Sequence, residues 1–177
     1  TGVQTCALPI SVYPFVPNRV LPEQQQALLT RADIETVLLQ QEPANTFSSF
    51  TSVKQDAQSF TLELGKVMPF GANDLSRFSG IDLLLRALIY GEELPNTPAV
   101  GMEQFVVNHT LEKPSENWIF HVPDDSPNFS EYAPGSLIAE DGGVQYLVGE
   151  EPEYIVFPNP RVKVGARAGL MLRKLSR

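Results

Sequence analysis

The sequence has few of the residues that mark specialised protein classes. Cys6 is its one cysteine, which excludes a disulfide framework and a thiolate metal cluster. No apolar run approaches the roughly 20 residues of a membrane span, and no basic segment precedes an apolar one as in a signal peptide. We therefore expect a cytoplasmic protein that does not associate with membranes.

Basic residues are also scarce. The sequence contains 13 Lys and Arg but 21 Asp and Glu, which gives a formal net charge of −8. Nucleic-acid surfaces need clustered Lys and Arg to neutralise phosphates, so we expect no nucleic-acid partner. The charges are unevenly distributed, because residues 92–153 are strongly acidic and residues 154–177 carry only basic charges. We expect these two segments to face each other within one domain; a basic tail for an anionic partner is the alternative.

Motifs for several kinds of catalysis are missing. The chain contains no G-x-S-x-G nucleophile elbow and no glycine-rich phosphate loop. A hydrolytic metal site usually takes three protein ligands, yet His109 and His121 are the only histidines. Both lie in β-patterned segments without a close second ligand, so we expect structural or surface roles for them and no metal site.

The first ten residues, T-G-V-Q-T-C-A-L-P-I, resemble the conceptual translation of a sequencing-adapter oligonucleotide. We therefore treat residues 1–10 as non-native and expect native sequence from about Ser11. Cys6 falls in this segment and is given no role.

Residues 11–91 alternate helical and strand patterns, which predicts an α/β layer with a largely parallel sheet. Ser11 to Leu21 is rich in proline and is predicted to be an irregular loop. Three helices are predicted: Glu23–Ala32, a second that runs from a cap at Thr46 or Ser48 to Ala57, and Leu75–Gly91 after a cap at Asn73 or Asp74. Strands are predicted at Ile34–Gln41 and from Phe60. In the last helix, a three-four spacing of apolar residues predicts one buried face.

Residues 92–177 form a second region, separated from the first by the Pro-containing segment after Gly91. Short apolar runs alternate here with turn sequences, which favours a small β-sandwich or barrel. The predicted strands are Met102–Leu111, Trp118–Val122, Ser136–Ala139, Val144–Val148, Tyr154–Phe157, Val162–Val164 and Gly169–Leu175.

One carboxylate stands out in the first region. Thr61, Leu62 and Leu64 predict a buried strand, so Glu63 would lie at a sheet, where an unpaired charge is costly. It is either paired, with Lys66 as the nearest candidate, or it is a general acid/base whose pKa is tuned by its surroundings.

Three ordered segments resemble one known family: T-L-E-L-G-K-V-M-P-F-G-A-N-D-L from Thr61, F-S-E-Y-A-P-G-S-L-I-A-E-D-G from Phe129, and F-P-N-P-R-V-K-V-G-A-R-A-G-L-M-L from Phe157. They resemble the succinylglutamate desuccinylase and aspartoacylase family of zinc hydrolases, and the resemblance runs from Ser11 to the C-terminus. It implies the C-terminal part of a zinc-carboxypeptidase-like α/β core (residues 11–91) followed by a β-domain (residues 92–177).

The resemblance also implies a reaction, the hydrolysis of N2-succinylglutamate to succinate and glutamate in arginine catabolism. In the family, zinc polarises the amide and activates water while a glutamate transfers the proton. Glu63 matches that glutamate. Thr46, Lys66 and Tyr154 are weaker candidates for substrate contacts, and Tyr154 is also compatible with an ordinary place in the β-domain core.

The family's zinc ligands come from an H-x-x-E motif and a later histidine, and neither motif occurs in this sequence. We therefore expect a fragment that carries the acid/base but neither binds zinc at the catalytic position nor hydrolyses the substrate. Two alternatives remain: another N-acyl amino acid deacylase of the same group, and a non-catalytic binding module. The oligomeric state is not predicted.

Overall fold

A computed structural model describes residues 10–16, 19–65, 68–93 and 101–175 of the chain. The described residues fall into two compact units. The α/β unit comprises residues 10–64 and 68–104, and the β unit comprises the residues from Phe105 onward. No helix of the described residues is long and apolar enough to cross a membrane.

The α/β unit contains three strands, three α-helices and one 3-10 helix. In chain order they are β1 (Ile10–Tyr13), α1 (Glu23–Arg31), β2 (Thr36–Leu39), α2 (Phe47–Gln55), β3 (Thr61–Glu63), the 3-10 helix (Leu75–Phe78) and α3 (Ser79–Tyr90). Strand β1 lies in the middle, parallel to β2 and antiparallel to β3.

The helix ends follow the capping chemistry of the sequence. Thr46 Oγ1 accepts a hydrogen bond from the Ser49 N–H at 3.1 Å and starts α2. Asp74 caps the 3-10 helix by accepting from the Ser76 N–H at 3.1 Å. Gly91, with φ of 69°, ends α3 in the left-handed conformation that glycine adopts without strain. Of the predicted alternatives, Thr46 rather than Ser48 and Asp74 rather than Asn73 provide the caps.

Three predictions for this unit are wrong. The segment from Ser11 contains the central strand β1, because alternate side chains such as Ser11 and Tyr13 are buried before Pro14 ends the strand. The sheet is mixed rather than largely parallel, since β3 runs antiparallel to β1. The helix predicted from Leu75 is interrupted, because its first turn is a 3-10 helix.

The core of the α/β unit lies where α1 and α3 cover the strands. Its buried apolar residues are Tyr13, Leu21, Leu29, Ala32, Ile34, Val37, Ile81, Leu84 and Met102. Gly80 permits a close approach here, because a Cβ atom at this position would lie 2.4 Å from Asp33 Oδ2. Only one side of α3 contributes to this core, through Ile81 and Leu84. Leu85 and Leu88 also belong to the three-four spacing of apolar residues in this helix, but they are exposed.

The β unit contains two sheets. Its strands are β4 (Glu103–Glu112, which begins two residues before the unit), β5 (Ile119–Phe120), β6 (Ser130–Tyr132), β7 (Leu137–Asp141), β8 (Val144–Leu147), β9 (Glu153–Val156) and β10 (Arg167–Lys174). One sheet has the order β4-β10-β9-β6 and the other β5-β7-β8. Six of the seven predicted strands are present; β6 was missed, and Val162–Val164 is not a strand.

The two sheets of the β unit share one apolar core, formed by Leu111, Val122, Ile138, Val148, Ile155 and Met171. The acidic and basic segments meet as predicted. Arg161 donates a hydrogen bond to Asp124 at 2.9 Å, and Arg167 lies opposite Glu112 in the β10–β4 pair.

Candidate functional site

Glu63 is the last residue of β3 and lies opposite Ile10 of β1. Among the described residues, β3 pairs only with β1, so it is an edge strand. The prediction of a buried strand is therefore wrong in degree: Thr61 and Leu64 are exposed, while Leu62 and Glu63 are half-buried. An edge position leaves one side of the strand without a neighbour, which explains the exposure.

The Glu63 carboxyl has the electrostatics expected of a proton-transfer group. Burial raises its pKa above the ordinary value for glutamate, because a less solvated site disfavours the ionised form. Within the described part of the chain no hydrogen bond or ion pair to the Glu63 side chain is found. A carboxyl with a raised pKa and no partner among the described residues is more readily protonated than an ordinary glutamate, as a general acid/base requires.

A chain of hydroxyl groups connects the start of α2 with the strand of Glu63. Thr46 Oγ1 lies 3.1 Å from Ser48 Oγ, and Ser48 Oγ lies 3.1 Å from Thr61 Oγ1. Residues two apart on a strand share a face. Thr61 therefore places the series of hydroxyl groups on the face of β3 that carries Glu63. The structure thus brings Thr46, predicted as a substrate contact, to the strand of the candidate acid/base.

Sequence reasoning did not single out Ser48 and Thr61 as site residues. The signal that was available is the polar run N-T-F-S-S-F-T-S at the start of α2. Within this run, Ser48 was considered only as a helix cap, and Thr46 was considered both as a cap and as a substrate contact.

A cleft of about 450 Å³ lies beside the hydroxyl chain. Thr46 lines it together with Pro43, Phe47, Phe50 and Val53. The aromatic side chains of Phe47 and Phe50 are exposed in this cleft. The site therefore combines an apolar surface with a few polar groups, which is typical of small-molecule sites.

Lys66 and Tyr154 are the other two predicted substrate contacts. Lys66 lies outside the described residues, so its pairing with Glu63 stays a prediction. Tyr154 belongs to β9 in the β unit, where its hydroxyl donates to Glu131 Oε2 at 2.9 Å. Its ring packs edge-on against Phe105, with 5.1 Å between the centroids.

The described residues do not fit a zinc ion. Among residues 10–16, 19–65, 68–93 and 101–175, no three His, Cys, Asp or Glu side chains are grouped closely enough to hold a metal. His109 stacks on Tyr146, and His121 Nε2–H donates to Glu140 Oε1 at 2.9 Å. Within the described part of the chain, neither histidine belongs to a group of three potential metal ligands.

Two family models together match most of the chain. Residues 1–89 match the "Succinylglutamate desuccinylase/Aspartoacylase catalytic domain". Residues 101–175 match the "AstE/AspA barrel-sandwich hybrid domain". The boundary between the two matches falls after α3 and before β4, in agreement with the change of pattern in the sequence.

Relatives of known name agree with these matches. The chain is 46% identical to a succinylglutamate desuccinylase of Chromobacterium violaceum, over 92% of this chain and 50% of the relative. The crystal structure of a succinylglutamate desuccinylase from that organism matches with a TM-score of 0.80 and 40% identity, over 99% of this chain and 52% of the other. The corresponding Vibrio cholerae structure has a TM-score of 0.87 and 31% identity, over 98% and 51% of the two chains. The chain spans about half the length of the relatives it matches.

Proposed function

Because the chain belongs to the succinylglutamate desuccinylase/aspartoacylase family, we propose that it is part of a zinc-dependent amidohydrolase that cleaves N2-succinylglutamate into succinate and glutamate. The carrying observation is Glu63, a half-buried carboxyl with a raised pKa and no partner among the described residues. In this proposal Glu63 takes a proton from the attacking water and delivers it to the leaving amine.

The proposal assigns the zinc ligands to protein outside this chain. Its basis is that the described residues offer no ligand set and that the chain matches only half of its relatives. The chain alone is then expected to bind no catalytic zinc and to be inactive. When bound, the metal would polarise the amide carbonyl and lower the pKa of a water molecule.

The hydroxyl chain and the adjacent cleft suggest how substrate is oriented. Thr46, Ser48 and Thr61 place hydroxyl donors along the face of β3 that carries Glu63. Such groups can hold a carboxylate of the substrate while Phe47 and Phe50 contact its methylene groups. Tyr154 and Lys66 remain further candidates for substrate contacts.

A chimeric enzyme tests the proposal directly. Residues 11–177 of this chain would replace the matching half of the C. violaceum relative, and release of glutamate from N2-succinylglutamate would be measured with zinc present. We expect turnover, and we expect Glu63→Gln to lower kcat by about 10²- to 10⁴-fold because the proton-transfer group is removed.

The matched control is Glu42→Gln, an exposed carboxylate of the same unit, which should leave kcat unchanged. A zinc-loaded, folded chimera in which Glu63→Gln is as active as the parent would contradict the role of Glu63. If the isolated chain binds one tight zinc equivalent and turns over substrate, the assignment of the ligands outside this chain is wrong. A chimera that prefers N-acetyl over N-succinyl substrates would favour the alternative deacylase.

A further inference from the structure

A second cleft, in the β unit, is separate from the Glu63 region and has a different chemistry. It measures about 450 Å³ and lies between β4 and the β7–β8 hairpin. No described Lys or Arg lines it. Its walls carry three aromatic rings, from Trp118, Tyr146 and His109, and three carboxylates, from Glu112, Glu140 and Asp141.

The aromatic walls are held in fixed orientations. The rings of Tyr146 and His109 stack with 4.7 Å between centroids. Tyr146 Oη donates to Glu153 Oε2 at 2.5 Å, and Asn108 Nδ2 donates to Glu153 Oε1 at 2.7 Å. Because Glu153 is only 6% exposed, this buried anchor fixes the Tyr146 ring as a wall of the cleft. Trp118 is held in turn by stacking on Phe120 at 4.9 Å.

Among the described residues, Glu140 and Asp141 of the cleft form no ion pair with Lys or Arg, and Glu140 pairs with His121. Glu140 accepts hydrogen bonds from Gln145 and from His121, which lower its pKa and favour the ionised form. Asp141 Oδ2 is buried and has no hydrogen-bond partner among the described residues. The described residues therefore leave one Asp141 carboxylate oxygen without a hydrogen-bond donor, which is rare in a folded protein.

We propose that this cleft binds a small organic cation that carries a guanidinium group. A guanidinium is planar, stacks on aromatic rings and directs several N–H donors at carboxylates. These properties match the Trp118 and Tyr146 faces and the Glu140 and Asp141 oxygens. The cleft volume suits a ligand of this size, and the inference is independent of the reaction assigned to Glu63.

Trp118 is the one tryptophan of the sequence, so its fluorescence reports on the cleft in the full chain. N-acetyl-L-argininamide is the probe, and N-acetyl-L-citrullinamide, its neutral isostere, is the comparison. We expect a saturable fluorescence change with the arginine derivative, with a Kd of about 1 mM or below, and weaker binding of the citrulline derivative. Added salt should weaken only the charged probe.

Variants separate this site from the general negative charge of the protein. Glu140→Gln and Asp141→Asn should each weaken binding by about two- to fivefold. Glu112→Gln is a third variant of the cleft. Because Glu112 is exposed, this substitution removes a carboxylate of the cleft without altering a buried group. Glu151→Gln removes an exposed carboxylate outside the cleft and should leave binding unaltered.

Three results would overturn the inference: no saturable signal, equal binding of the neutral isostere, or equal weakening by Glu151→Gln. The last would show that only net charge matters. Circular dichroism of each variant establishes that a lost signal does not come from unfolding.

Discussion

Thirteen large apolar side chains are exposed in the α/β unit and four in the β unit, although the described parts of the two units are of comparable length. In the α/β unit they include Phe47 on α2 and Leu88 and Ile89 on α3. In the β unit the two sheets cover each other, and Ile138, Ile155 and Met171 are completely buried. Extensive exposed apolar surface is typical of a region that other protein covers. The β unit thus covers most of its own core, whereas the described part of the α/β unit leaves much apolar surface exposed.

The largest expected difference between the units concerns core substitutions. Ile155→Ala leaves a cavity in a fully buried position and should lower the free energy of unfolding of the β unit by about 2–5 kcal/mol. Leu88→Ala removes an exposed side chain of α3 and should change stability by about 0.5 kcal/mol or less. Trp118 fluorescence follows the β unit during denaturation, and far-UV circular dichroism follows the helices. If Leu88→Ala is as costly as Ile155→Ala, then α3 is covered in solution and the comparison fails.

A smaller effect is expected at the cap of α2. Thr46→Ala removes the acceptor of the Ser49 N–H and should destabilise the α/β unit by about 1 kcal/mol, whereas Thr46→Asn should retain most of the stability. The helical circular dichroism signal measures this during unfolding, while the Trp118 transition of the β unit should not move. A shift of both transitions would show that the units unfold as one.

The smallest effect is expected at Glu63. Burial raises the pKa of Glu63 in the folded state, so the ionised side chain lowers the stability of the fold above that raised pKa. This loss of stability is absent below the pKa of glutamate in the unfolded chain, which is about 4.3. Glu63→Gln should therefore stabilise the α/β unit at pH 7 and become neutral at pH 3.5. The gain should be about 0.5 kcal/mol or less, since water screens a half-buried group.

Thermal unfolding at the two pH values measures the Glu63 effect, with Glu42→Gln as the exposed control. A Glu63→Gln variant that is less stable at pH 7 would show that the carboxylate has a structural partner. Lys66 would then be the first candidate, as the sequence suggested.

Much of the candidate site could be predicted from local signals. The family resemblance around Glu63 identified the acid/base candidate. The cap at Thr46 could be predicted because threonine is a common N-cap residue, whose hydroxyl accepts a hydrogen bond from an N–H group in the first helical turn. The link between Thr46 and β3 was not predictable, because Ser48 and Thr61 meet only after α2 folds back onto the strand. The cleft around Trp118 and Asp141 was missed for the same reason, since its walls come from β4 and the β7–β8 hairpin.

The sequence by itself determined which segments become helices, the positions of most strands, the change from α/β to β organisation after Gly91 and the family. These features depend on residue periodicity, turn residues and matched motifs, which act over short stretches of chain. Only the tertiary structure decided that β1 is central, that β3 is an edge strand and that Leu85 and Leu88 of α3 are exposed. Those outcomes depend on which segments pair and pack across long sequence separations, and a half-buried Glu63 with a raised pKa is their direct consequence.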